Sequence, residues 1–160
     1  LGAYGKLSDA LAINIGYQFN DVKFPSGALG GDGISLAGTQ FLNAPKHKFT
    51  LSGEFTQPIT SGLELYLNGN LVYKSKVLLS QNGGAIYRYP SHGIINTGFG
   101  IRQADGHWRA GIFVRNLTKE REPTAYLKGD LSGAPDGAVR AWPVAGLTAR
   151  VVGLSVDFNF

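Results

Sequence analysis

The sequence contains no cysteine and no methionine. Without cysteine there is neither a disulfide framework nor a thiolate metal site. Without methionine the chain does not begin at an initiator, and Leu1-Gly2-Ala3-Tyr4 lacks the basic and apolar regions of a signal peptide. The expectation is a leader already removed, or a longer protein of which this is a piece. Charge is scarce as well: Asp, Glu, Lys and Arg make up 16% of the chain, well below the usual level of about a quarter. The net charge of +4 is spread without a Lys/Arg run, so no nucleic-acid partner is expected. No window approaches the roughly 18 apolar residues that a membrane-spanning helix needs.

What is abundant is alternation. Counting back from the C-terminus, Phe160, Phe158, Val156, Leu154 and Val152 are apolar, whereas Asn159, Asp157, Ser155 and Gly153 are polar or small. A period of two means a β-strand with one apolar and one polar face. A barrel strand buries every second residue in lipid, so a near-neutral mean hydropathy of −0.04 is compatible with a membrane protein. The same alternation recurs in Leu11, Ile13, Ile15, Tyr17 and Phe19; in Phe49, Leu51, Gly53 and Phe55; and in Leu63 through Tyr73. It returns in Ile95, Thr97, Phe99 and Ile101, and in Trp108, Ala110, Ile112 and Val114. Leu1 to Lys6 reads as the tail of a further strand. Segments 11–20, 46–57, 63–74 and 107–117 have close to the roughly 9–11 residues of a tilted spanning strand.

The connections alternate in length. Ser8-Asp9, Pro58-Ile59-Thr60-Ser61 and Asp105-Gly106 are short turns, the last a two-residue hairpin signal. Residues 25–45, about 80–90 and about 118–145 lose the period, are rich in Gly and Pro, and read as long loops. Short periplasmic turns and long extracellular loops are the rhythm of an outer-membrane barrel. Aromatics complete two belts, with Tyr4, Phe55, Trp108 and Phe160 at the turn end and Tyr17, Phe19, Phe49 and Tyr73 at the loop end. Arg150 interrupts the apolar face of the last strand at the outer rim, where lipopolysaccharide phosphates can accept it. The fold expected is therefore all-β: an antiparallel transmembrane β-barrel segment of about seven strands in a meander. Because bacterial single-chain barrels have even strand numbers, seven implies part of a larger barrel.

Several stretches also carry a family resemblance. Asn43-Ala44-Pro45-Lys46-His47-Lys48-Phe49-Thr50-Leu51, Tyr89-Pro90 and Asn96-Thr97-Gly98-Phe99-Gly100-Ile101-Arg102 resemble late strands of TonB-dependent outer-membrane receptors. Asp105-Gly106-His107-Trp108 and Val114-Arg115-Asn116-Leu117-Thr118 follow in that family's order, and Gly153 to Phe160 is similar to its closing strand. The resemblance implies that residues 1–160 are the C-terminal part of a barrel of about 22 strands, without the plug domain. It implies uptake of an iron-siderophore, haem, cobalamin or glycan at the bacterial outer membrane. The implied partners are outer-membrane lipid and lipopolysaccharide, the rest of the barrel and its plug, the TonB complex through that plug, and the barrel-assembly machinery. The assembly signal would be Val156, Phe158 and Phe160.

No catalytic set, metal site or cofactor is expected, and the chain reads as a non-enzyme. Gly30-Gly31-Asp32-Gly33-Ile34-Ser35 half-matches a calcium-binding repeat, but Ser35 stands where an acidic ligand belongs and no second copy follows. His47, His92 and His107 lack paired zinc spacing, and none falls mid-way along an inward polar face as a hydrolase base would. Asn116-Leu117-Thr118 matches a glycosylation sequon that a bacterial barrel does not use. Lys48, Glu54, Glu64, Lys74, Arg102, Arg109, Arg115 and Asp157 share the inward parity. Ligand contact is assigned to Tyr87, Arg88 and Tyr89 at the lip of an outer loop, since Arg takes carboxylate or phosphate bidentately and Tyr stacks planar groups. Two other architectures fit the pattern. One is a complete small barrel of about eight strands, structural or enzymatic; the other is a soluble secreted β-sandwich for binding, which requires buried Phe49, Leu65 and Ile112.

Overall fold

The computed structural model describes residues 1–31, 33–82, 85–123, 125–128, 138–141 and 149–159, with side chains except at 80–82, 85–87, 125–128 and 138–141. Among the described residues eleven strands follow in order: β1 (Gly2–Ser8), β2 (Leu11–Phe19), β3 (His47–Pro58), β4 (Leu63–Lys74), β5 (Val77–Asn82), β6 (Ala85–Tyr89), β7 (His92–Gln103), β8 (Trp108–Arg115), β9 (Ala125–Lys128), β10 (Ala138–Ala141) and β11 (Val151–Phe158). Seven of them form one sheet in the order β1-β2-β3-β4-β7-β8-β11. This is the seven-stranded antiparallel meander expected from the alternation. The sheet is open, with β1 and β11 as its two edges; a complete small barrel would pair them.

The register places the alternating apolar residues on one surface. Directly opposed residues share a face, and one cross-strand row runs Leu11, Phe55, Leu67, Phe99, Ile112, Leu154. A second runs Ile15, Leu51, Leu71, Ile95. Leu65 and Ile112 are 38% and 37% exposed and Phe49 is half-buried, so among the described residues this face is not packed inward as a soluble sandwich would have it. Leu154 is 79% exposed. Among the described residues no second layer covers this apolar surface.

Three expectations are corrected. The stretch from residue 80 to 90 holds a hairpin, β5–β6, which escaped the period because Val77-Leu78-Leu79 is apolar without alternation. All three are buried, since the first long loop lies on them: the Asn43 N–H donates to the Leu78 carbonyl at 2.8 Å, and Leu42 bridges Leu78 in parallel. The third long loop holds the short pair β9–β10, each strand four residues long and too short to show a period. Tyr4 pairs with Asn14 and so lies on the polar face, not in the turn-end aromatic belt of the apolar face.

The remaining belt residues hold their side, apart from Phe160, which lies outside the described residues. Tyr17, Phe49 and Tyr73 form one cross-strand row at the loop end, and Trp108 opposes Phe158 at the turn end. The Tyr17 hydroxyl lies 2.8 Å from His47 Nδ1 beside them. The guanidinium of Arg150 donates to the Leu117 carbonyl at the loop end of β8. At the opposite end the Asp105-Gly106 connection extends over residues 104–107, with Gly106 at φ 80°, a conformation that glycine adopts without a Cβ penalty.

Candidate functional site

At the turn end, the polar face of the sheet carries two sets of ion pairs, Arg102 with Glu54 and Glu64, and Arg109 with Asp157. Glu64, Arg102, Arg109 and Asp157 lie in one cross-strand row. Arg102 spans three strands: Nε donates to Glu64 at 2.9 Å, Nη1 to Glu54 at 2.8 Å and Nη2 to the Thr56 hydroxyl at 3.1 Å. Arg109 Nε donates to Asp157 at 2.8 Å. Opposite charges across strands each contribute roughly 0.2–1 kcal/mol, so this row stabilises the wall while remaining hydrophilic. Before it lies an open trough of about 940 Å³, lined among others by Tyr4, Lys6, Asn14, Glu54, Asn68 and Arg102.

Two aromatics turn inward as well, Tyr66 and Phe113, each lying over glycine. A Cβ on Gly153 would stand 2.4 Å from Phe113 Cζ, and one on Gly111 would stand 2.2 Å from the Tyr66 hydroxyl. The inward glycines of β8 and β11 leave the space these rings fill.

At the loop end of the same face Gln18, Lys48, Lys74 and His92 stand in one row across β2, β3, β4 and β7. A carboxylate from the loop after β8 reaches this row: Glu122 accepts from Lys74 Nζ at 2.7 Å, with His92 Nε2 3.2 Å away. His92 Nδ1 donates to the Pro90 carbonyl at 3.0 Å. The loop is set by Asn116, which is buried and adopts φ 52°, a left-handed conformation that Asn tolerates. Its Oδ1 accepts the Glu120 N–H at 2.8 Å and its Nδ2 donates to the Glu120 carbonyl at 2.9 Å. The sequon asparagine is thus a buried loop anchor. Beneath the loop a cavity of about 580 Å³ lies against Gln18, Asn20, Asn43, Lys48, Lys74 and Glu122.

Of the three residues assigned to ligand contact, Arg88 is exposed and Tyr89 half-buried. The Tyr89 hydroxyl donates to Glu120, and its ring meets His92 edge-on at 5.1 Å between centroids. Neighbouring positions in a strand face opposite ways, so Arg88 and Tyr89 do not share one surface of the hairpin. The Tyr87 side chain lies outside the described residues. Val156 and Phe158 lie on the apolar surface, and Phe160 lies outside the described residues. So does Asp32 of the calcium-like stretch; among the described residues no three His, Asp or Glu converge on a metal position. The row Gln18-Lys48-Lys74-His92 was not singled out from the sequence as a unit. Its parity was legible for the lysines, but its alignment depends on register, and Glu122 enters from a segment without period.

No protein-family model and no curated protein matches the sequence. Solved structures do share its fold. The ferric preacinetobactin receptor BauA from Acinetobacter baumannii matches 98% of the chain with a TM-score of 0.67 at 19% identity, and the chain covers 21% of it. The ferric-catecholate import receptor Fiu from E. coli K12 matches 96% with a TM-score of 0.61 at 18% identity, and 19% of it is covered. The chain thus spans about a fifth of the length of these receptors. Its open, seven-stranded sheet has the fold of part of a receptor barrel wall, the fold that the resemblance to TonB-dependent receptors implies.

Proposed function

We propose that this chain is the C-terminal part of a TonB-dependent outer-membrane receptor that imports a siderophore, haem, cobalamin or glycan, a ferric chelate first among them. The observation that carries the reading is the two-faced sheet. An apolar surface left uncovered across seven strands suits contact with lipid, and a charge-paired face opposite it suits a water-filled or plugged lumen. The fold shared with two iron-chelate receptors supports the choice of cargo. Residues 1–160 then form the last barrel strands, with plug and TonB contact elsewhere in the protein, and the role is transport rather than catalysis. Arg88 and Tyr89, from opposite surfaces of the β5–β6 hairpin, and Tyr87 contact ligand at the outer lip. Val156, Phe158 and Phe160 present the closing strand to the assembly machinery, and Arg150 meets lipopolysaccharide phosphate. The test is uptake of radiolabelled ferric siderophores by cells with and without the full-length gene, in backgrounds with and without TonB. Uptake that requires both supports the proposal; recovery of the full-length protein as a soluble periplasmic species would sink it.

A further inference from the structure

We infer that the row Gln18-Lys48-Lys74-His92 is a binding ledge for a small molecule bearing carboxylates, and that Glu122 is its built-in competitor. The inference deepens the transport reading by naming a chemical class of ligand, and rests on that reading only for placing this end of the sheet at the outer mouth.

The charges on the ledge do not balance. Lys48 and Lys74 are directly opposed across β3 and β4, an arrangement of like charges that destabilises a sheet unless an anion joins it. One carboxylate does, and it serves one lysine: Glu122 lies 2.7 Å from Lys74 Nζ. Lys48 is half-buried and has neither an ion pair nor a hydrogen bond among the described residues. The cavity of about 580 Å³ in front of the two lysines is of a size that small ligands occupy, and Gln18, Asn20 and Asn43 add amide groups to its wall.

Glu122 itself is imperfectly held. His92 Nε2 is buried without a hydrogen bond although the Glu122 carboxylate is 3.2 Å away. The carboxylate therefore shows that such a group fits between Lys74 and His92, while leaving part of the site unmatched. It comes from the loop anchored at Asn116, not from the sheet, so it can leave without breaking a strand ladder. A ligand with two or more carboxylates takes the position of Glu122 on Lys74 and adds the contact to Lys48 that Glu122 does not make.

The test titrates the full-length protein in detergent with tricarballylate, a tricarboxylate without a metal-chelating hydroxyl, by calorimetry. Lys48→Gln and Lys74→Gln are expected to weaken binding about ten-fold or more, as loss of a charge-assisted contact does. Lys48→Arg is expected to keep most of the affinity. Glu122→Gln is expected to tighten binding about three-fold or more, since the internal competitor is neutralised; a purely structural Glu122 would give no gain. Each variant is first checked for wild-type heat-modifiable gel mobility, so that a misassembled barrel is not scored. Absence of saturable binding at millimolar probe, unchanged binding in Lys48→Gln, or weaker binding in Glu122→Gln overturns the ledge. Because no TonB energy enters this measurement, an uptake assay that fails while these ratios hold would overturn the transport reading alone.

Discussion

The hydroxyl of Tyr66 on β4 lies over Gly111 on β8, two strands away, so close that a Cβ at Gly111 would stand 2.2 Å from it and 2.6 Å from the Phe99 carbonyl oxygen. The ring is buried on the face that carries the ion pairs. Its packing against a bare backbone ties β4, β7 and β8 together where hydrogen bonds alone join neighbours.

Gly111→Ala should therefore destabilise the assembled barrel by about 1–3 kcal/mol, the usual cost of overpacking. Gly5→Ala, where a Cβ meets nothing within 4 Å, should shift stability by much less. Thermal unfolding of the two full-length variants in detergent, read by loss of heat-modifiable mobility, makes the comparison.

Arg102 holds two carboxylates from different strands, at 2.8 Å from Glu54 and 2.9 Å from Glu64. Replacing it by Met removes the guanidinium partner of both carboxylates. A loss of about 1 kcal/mol is expected, modest because the groups are partly solvated. Restoring Glu54→Gln and Glu64→Gln on that background should recover much of it. A double-mutant cycle with no coupling between Arg102 and Glu64 would contradict the pairing.

Leu67 sits between Phe55 and Phe99 on the apolar surface. If lipid covers that surface, Leu67→Arg should cost about 2–4 kcal/mol and reduce assembled protein in the outer-membrane fraction sharply. Leu67→Met should be tolerated. Equal yields of the two would place Leu67 in water.

The closing strand offers a comparison of its two faces. Phe158 opposes Trp108 on the apolar side, whereas Ser155 opposes Gly111 on the polar side. Phe158→Asp, or Phe160→Asp, should reduce surface abundance of the full-length protein at matched expression, and Ser155→Ala should not. Asn159, whose amide donates to the Gly106 carbonyl at 2.9 Å, is a poorer control because it also clasps the turn.

At that turn the Asp105 carboxyl is held below its ordinary value of 3.8, chiefly by the side-chain hydrogen bond from His107 and then by the His107 backbone N–H. A depressed folded-state value means that the contact stabilises the turn above pH 3.8 and is lost as pH falls through the lowered value. His107→Ala should move the Asp105 carboxyl titration back up toward 3.8, measured by NMR of the labelled carboxyl. An unmoved titration would mean that the His107 side chain contributes nothing.

Alternation is a local property, and each long strand carries it alone. For this reason the seven strands of the meander, the side that Leu11, Phe49, Leu65, Ile112 and Phe158 share, and the inward parity of Lys48, Glu64, Arg102 and Asp157 were all legible in the residues. Where burial is two-sided the signal vanishes: Val77-Leu78-Leu79 forms a strand under a loop, and its apolar run has no period to read. Tyr4 misled because a bulge between Lys6 and Ser8 shifts the register of a strand too short to correct it. Register and loop placement are long-range. Only the pairing of β2, β3, β4 and β7 aligns Gln18, Lys48, Lys74 and His92, and the loop anchored at Asn116, with left-handed residues at Asn116 and Lys119, brings Glu122 onto them. The residues of each strand fix which of its faces is apolar and which is polar, because side-chain period acts residue by residue. Tertiary structure decided which charges meet one another, because residues far apart in the chain are joined only once the strands have chosen their partners.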